Sequence, residues 1–223
     1  MFPPFKHKNM ISAYRYISFD LFGTLVDVRT AACQFFVRAL GCGGERALEL
    51  YDAWNSAVFD QISKQNIPFR EAAALHLGQI DKGVDVDSFL KAYAGALPFP
   101  DVGAVLKKLR ERYVLVAITN SDRSMISHVK IRHLFDEIIT GEDAGYFYKP
   151  RREIFDYALK KLNCKKEEIL HVASSVRADV KGAVPLGWNV IYLNRYNIRP
   201  LPTPLAVIEK IDELLEFVGS TPQ

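Results

Sequence analysis

Five short apolar runs, rich in β-branched and aromatic residues, limit what this chain can fold into more than any other feature: Tyr16–Phe19, Val114–Thr119, Ile138–Thr140, Ile169–Ala173 and Val190–Leu193. Continuous runs of this length predict strands buried on both faces. Amphipathic stretches separate the later ones. Asp101–Arg112 places Val102, Val105, Leu106 and Leu109 at helical spacing, and Arg152–Leu162 does the same with Ile154, Phe155, Ala158, Leu159 and Leu162. Asp179–Leu186 and Leu205–Val218 are two further helix candidates. Strands that alternate with helices predict an α/β architecture, a parallel sheet covered on both faces.

Residues 29–97 break that rhythm and contain no good strand. Ala31–Leu40, Glu45–Lys64, Phe69–Leu77 and Val86–Leu97 read as helices, separated by Gly41–Gly44, Asn66-Ile67-Pro68 and Asp81-Lys82-Gly83. An all-helical insertion therefore follows the first strand. Pro98 and Pro100 punctuate the return to the alternating pattern.

In an open parallel sheet, ligands bind beyond the carboxyl ends of the strands. The first strand ends at Asp20, the second at Thr119-Asn120-Ser121, and the fourth at Ser174-Ser175, with Asp179 just beyond. The turn after the third strand reaches Lys149-Pro150. Carboxylates, hydroxyls, an amide and a lysine thus converge on one edge of the sheet. Each also has a plainer reading. Asp20 suits a turn, Thr119, Asn120 and Asp179 suit helix caps, Lys149-Pro150 suits an exposed turn, and the serines suit a strand end. Their joint occurrence at one edge favours a site.

Four motifs taken in order resemble those of the haloacid dehalogenase superfamily of hydrolases. They are Asp20-Leu21-Phe22-Gly23-Thr24, Ile118-Thr119-Asn120, Lys149-Pro150 and Ala173-Ser174-Ser175-Val176-Arg177-Ala178-Asp179. The resemblance spans about Ile17 to Leu193. It implies an α/β fold: a Rossmann-like parallel-sheet core, residues 1–28 and 98–223, with a helical cap domain inserted over 29–97. It also implies that Asp20 is a nucleophile that forms a covalent ester with substrate, splitting a hard displacement into two steps. Lys149 would keep that carboxylate ionised. Asp179 would orient Lys149 or a water, or help hold a metal. Phe22, Thr119, Asn120 and Ser174 would line the substrate site. A helix starting near Asp122 would offer free N–H groups to an anion.

Phe22 narrows the chemistry. Most phosphatases of the superfamily carry a second aspartate at this place, which protonates the leaving alcohol. They also usually carry an acid where Ser174 stands, to hold Mg²⁺ through oxygen. The 2-haloacid dehalogenase branch instead has an aromatic residue and a serine there, and works without metal. A halide leaves as a stable anion and needs no proton. The resemblance thus implies a metal-free hydrolase acting on a carbon–leaving-group bond of a small anionic organic substrate. The match is partial. The branch's cap arginine has no counterpart in Leu50-Tyr51-Asp52-Ala53-Trp54-Asn55, which leaves Arg38, Arg46 or Arg70 as substitutes, and Phe155 and Val176 replace its tyrosine and asparagine. Two alternatives stay open. One is a Mg²⁺-dependent phosphatase with Asp20 and Asp179 as metal ligands. The other is a non-catalytic descendant that binds a metabolite or protein.

Composition excludes other classes. The formal net charge of +3 is too mild to argue for nucleic acid, and no basic stripe alternates with aromatics. Cys33, Cys42 and Cys164 lack CxxC spacing and read as free thiols. His7, His76, His128, His133 and His171 show no metal-binding spacing and read as structural or surface residues. The start, MFPPFKHKNM, is polar and proline-broken and reads as a loose extension rather than a signal peptide. No segment reaches membrane-spanning length. The expectation is a cytoplasmic protein, with neither nucleic acid nor membrane as partner and with a homodimer allowed.

Overall fold

The computed structural model describes residues 14–219; the N-terminal extension lies outside them. Strands β1 (Tyr16–Phe19), β2 (Val114–Thr119), β3 (Glu137–Thr140), β4 (Ile169–Ala173), β5 (Asn189–Leu193) and β6 (Ala206–Ile208) form one sheet in the order β3-β2-β1-β4-β5-β6. Every pairing is parallel. All residues of β1 and β4 are buried, as expected for strands covered on both faces. The connection order reverses between β1 and β4, where an open α/β sheet leaves its crevice.

Four helices build the insertion after β1: α1 (Val28–Leu40), α2 (Gly44–Ile62), α3 (Phe69–Ile80) and α4 (Val86–Ala94). They share an aromatic core, in which the ring of Trp54 packs 4.7 Å from Phe89 and 5.4 Å from Tyr93, centroid to centroid. Helix α5 (Val102–Arg110) leads back to the sheet. The two chain crossings run side by side, with Asp27 N donating to Leu97 O at 2.9 Å and Phe99 N to Leu25 O at 3.0 Å. Arg195 clamps both. Its Nε donates to Thr24 O at 2.8 Å, its Nη2 meets Asp101 at 3.1 Å, and its guanidinium lies 4.1 Å from the Phe99 ring centre.

Beyond β2 comes α6 (Arg123–Ile126), a single turn. The expected anion site at its start does not form. The Arg123 N–H is taken by Glu142 at 2.7 Å, and the Asp122 carboxylate serves α3 instead. Pro68 has no side-chain cap to offer α3. Asp122 crosses from the sheet edge and accepts from Phe69 N and Arg70 N, both at 2.8 Å, meeting two of the orphan donors of a helix start. Asp122→Ala is expected to lower stability by about 1–3 kcal/mol, the usual penalty for stranding buried donors. A urea melt checks this, and an unchanged midpoint would show that the carboxylate anchors nothing.

Helix α7 (Arg152–Leu162) covers one face. A π-helical turn (Val176–Val180) after β4 runs into α8 (Lys181–Ala183) and a 3₁₀ turn (Val184–Leu186), so the helix expected over Asp179–Leu186 begins earlier and is not uniform. The single helix expected over Leu205–Val218 is corrected. Ala206–Ile208 form β6 on the edge of β5, with Ile191 opposite Ala206, and only α9 (Glu213–Gly219) is helical. An open strand edge offers backbone partners that outweigh local helical periodicity.

Candidate active site

Asp20, Thr119, Lys149, Ser174 and Asp179 meet at the carboxyl edge of the sheet, on the floor of a cavity of about 650 Å³. Asp20 follows β1 directly. The turn beyond it needs Gly23, whose φ is +85°, and the Tyr196 hydroxyl stands 3.3 Å from where a Cβ would lie. Only glycine combines that dihedral with that approach.

Lys149 is fully buried, and its ammonium spends its three donors on Asp20 Oδ1 at 2.8 Å, Asp179 Oδ1 at 2.7 Å and Ile118 O at 2.7 Å. Asp20 Oδ2 accepts from Thr24 Oγ1 at 2.7 Å, and that hydroxyl accepts from Ser174 N at 2.9 Å. The nucleophile candidate is thus tied on both oxygens, to a cation and to a hydroxyl whose direction is set by β4.

Asn120 lines the cavity, and its amide also grips the Lys149 backbone. Its Nδ2 donates to Lys149 O at 2.8 Å, and its Oδ1 accepts from Lys149 N at 2.7 Å. It holds the lysine loop, and the second N–H of its Nδ2 has no hydrogen-bond partner among the described residues. The hydroxyls of Thr119 and Ser174 and the Oδ2 of Asp179 are buried without a protein partner. Phe22 stands on the wall, 5.3 Å from Tyr93 between ring centroids.

His171 belongs to this network, although its place in an apolar strand suggested a structural role. It is fully buried, with Nε2 2.9 Å from Asp179 Oδ1 and Nδ1 2.9 Å from Ser18 Oγ. A carboxylate only accepts, so Nε2 carries the hydrogen. The signal was register. Ser18 on β1 faces His171 on β4, which is visible only once those strands are known to be neighbours.

Burial pulls the two carboxyls the same way, and their partners separate them. For Asp179, burial raises the pKa, but Lys149 and His171 more than reverse this and hold it below the ordinary range. For Asp20, burial also raises it. Lys149 and Thr24 pull back without cancelling the rise, to which the Asp179 charge adds. Burial works to lower Lys149, and the charges of Asp179 and Asp20 outweigh it, so the ammonium sits above the usual lysine value. Among the described residues, no group of three or more His, Cys, Asp or Glu side chains is placed to hold a metal ion.

The arginines named from sequence lie elsewhere. Arg46 pairs with Glu49, Arg70 with Asp87, and Arg38 donates to Gln34 O. Arg29 and Arg177 line the cavity instead. Arg29 pairs with Asp52 at 3.2 Å, and Arg177 lies 4.2 Å from the Phe59 ring centre and donates to Ser56 Oγ at 3.1 Å.

A parallel α/β sheet with a buried carboxylate–lysine–carboxylate cluster at its switch point defines a hydrolase class, and comparison gives the family. The model of the haloacid dehalogenase-like hydrolases matches residues 14–187, and the chain belongs to that family. (S)-2-haloacid dehalogenase 4A of Burkholderia cepacia is 26% identical over 208 residues, 86% of this chain and 87% of that protein. Glyceraldehyde 3-phosphate phosphatase of Methanothermobacter thermautotrophicus is 29% identical over 133 residues, which take in 54% of this chain and only 58% of that enzyme. The solved L-2-haloacid dehalogenase of Xanthobacter autotrophicus with chloropropionic acid covalently bound superposes with a TM-score of 0.78 at 21% identity, over 92% of this chain and 98% of that one. At that identity the likeness speaks for the fold. No helix among the described residues is long and apolar enough to cross a membrane.

Proposed function

We propose that this hydrolase displaces a leaving group, most simply a halide, from C2 of a small carboxylate, with Asp20 as nucleophile and without metal. The carrying observation is the floor of the cavity. There the Asp20 carboxylate faces the pocket, tied to Lys149 and Thr24, with the ring of Phe22 beside it in place of a proton donor. The names of the full-length relatives point the same way.

An Asp20 oxygen attacks C2, the carbon–halogen bond breaks, and the halide leaves with the electron pair. No proton is needed at that step. Water then attacks the ester carbonyl of Asp20, and Asp179 Oδ2, which has no protein partner, takes its proton. The tetrahedral intermediate expels the substrate alkoxide, which takes that proton and leaves as a 2-hydroxy acid. Asp20 ionises again, releasing one proton to solvent. Lys149 balances the charge throughout, and the hydroxyls of Thr119 and Ser174 offer donors to the substrate carboxylate or the departing anion. The helices over 29–97 act as a cap that excludes water.

The donor set does not suit Mg²⁺. The Lys149 ammonium already pairs with both carboxylates, the His171 Nε2–H takes up Asp179 Oδ1, and Ser174 contributes no charge. Halide release from 2-bromopropionate in the presence of chelator tests this. Turnover of p-nitrophenyl phosphate only with added Mg²⁺, and no halide, would replace it with the phosphatase assignment.

Asp20 must be ionised to attack, and its pKa is raised. The acid limb of kcat/KM is therefore expected above the ordinary aspartate value of 3.8, activity falling as pH drops through it. Thr24→Val removes a hydrogen bond that favours the carboxylate and is expected to move the limb upward. A profile flat down to pH values below the ordinary aspartate range would contradict Asp20 as the attacking group.

A further inference from the structure

The cavity is far larger than a three-carbon acid requires. At the roughly 30 Å³ that a water claims per heavy atom, such a molecule fills under about 200 Å³, against about 650 Å³ here. The extra space has a direction. Helix α2 turns Tyr51, Asn55, Val58, Phe59 and Ile62 toward it, one helical stripe about 16 Å long at 1.5 Å per residue. One end is polar, where Asp52 on α2 pairs with Arg29, whose guanidinium lies 5.9 Å from the Tyr196 ring centre. The other is apolar, where Val58, Ile62 and Phe69 are 2%, 1% and 6% exposed yet still line the cavity.

We propose that the substrate carries an apolar arm of six or more carbons on C2, lying along the α2 stripe toward Ile62 and Phe69. This deepens the displacement mechanism and rests on it for the reacting end only. The side chains of Val58, Ile62 and Phe69 are already shielded from water, so the gain comes from the arm itself: a methyl group leaves most of this space unused, whereas each added methylene of an extended arm moves out of water into contact with them. Ile62 and Val58 are then the residues that set chain-length preference.

The test is a ladder of 2-bromoalkanoates from 2-bromopropionate to 2-bromodecanoate, read by halide release. The expected result is a kcat/KM that climbs about threefold to fourfold per methylene, the gain for burying each one, and several-hundred-fold by eight carbons. Ile62→Trp is expected to flatten the climb. A flat or falling ladder in the wild-type enzyme, with halide released, overturns the arm and leaves the displacement standing. Binding of propionate and octanoate to Asp20→Asn, measured by calorimetry, separates the other case. Tighter octanoate binding with no halide from any bromo acid upholds the arm and removes the reaction; equal binding overturns the arm.

Discussion

Replacing Lys149 with methionine is expected to cost about 3–5 kcal/mol of stability at pH 8 and to abolish turnover. Methionine matches the stem of lysine but not its charge. The ammonium is the common partner of Asp20, Asp179 and the Ile118 carbonyl, and removing one member of a buried charge cluster strands the others at about that penalty. The sign of the pH dependence follows. Without the cation, both carboxyls are raised in the folded state relative to the unfolded chain, so the fold binds protons more tightly. The variant therefore regains stability as pH falls toward 5 and loses it as pH rises. Urea melts at both values measure this. A variant as stable as wild type at pH 8 would mean that the cluster is not the charge network described.

Asp20→Asn is expected to reduce halide release by about 10⁴-fold or more, the scale seen when a nucleophile is removed outright. The change is nearly isosteric. The amide oxygen still accepts a hydrogen bond, and the crossings between sheet and insertion do not depend on the Asp20 side chain. Stability is expected to stay within about 1–2 kcal/mol of wild type, because Lys149 keeps Asp179 as its charged partner, burial already disfavours the Asp20 charge, and what remains is the weakening of single hydrogen bonds. Near-native unfolding with lost turnover separates a chemical role from a structural one. Retained turnover would remove Asp20 as nucleophile.

The fold was legible because both of its signals are local. Short apolar runs mark β1, β2, β3, β4 and β5, and amphipathic spacing marks α5 and α7. Residues at strand ends must share one edge of a parallel sheet, which is why Asp20, Thr119, Lys149, Ser174 and Asp179 could be named together. What stayed hidden depends on which elements touch. His171 enters the site through the β1–β4 register. Ala206–Ile208 became a strand because β5 had an open edge. Asn120 turned its amide to the Lys149 backbone, a contact between two loops 29 residues apart. Arg29 reaches the cavity from α1 and Arg177 from the π-helical turn. By contrast Arg38, Arg46 and Arg70 find partners on other surfaces, and no periodicity ranks these five.

In the proposed mechanism Asp20 becomes an ester and is regenerated by water at its own carbonyl. Single turnover of 2-bromooctanoate by excess enzyme in ¹⁸O water, with chelator and no added metal, tests this directly through the mass of the Asp20 peptide. One heavy oxygen in that peptide, with halide released and unlabelled 2-hydroxyoctanoate formed, is the predicted result. Halide release with the label in the hydroxy acid and none in Asp20 would contradict it, because water would then have attacked the substrate carbon itself.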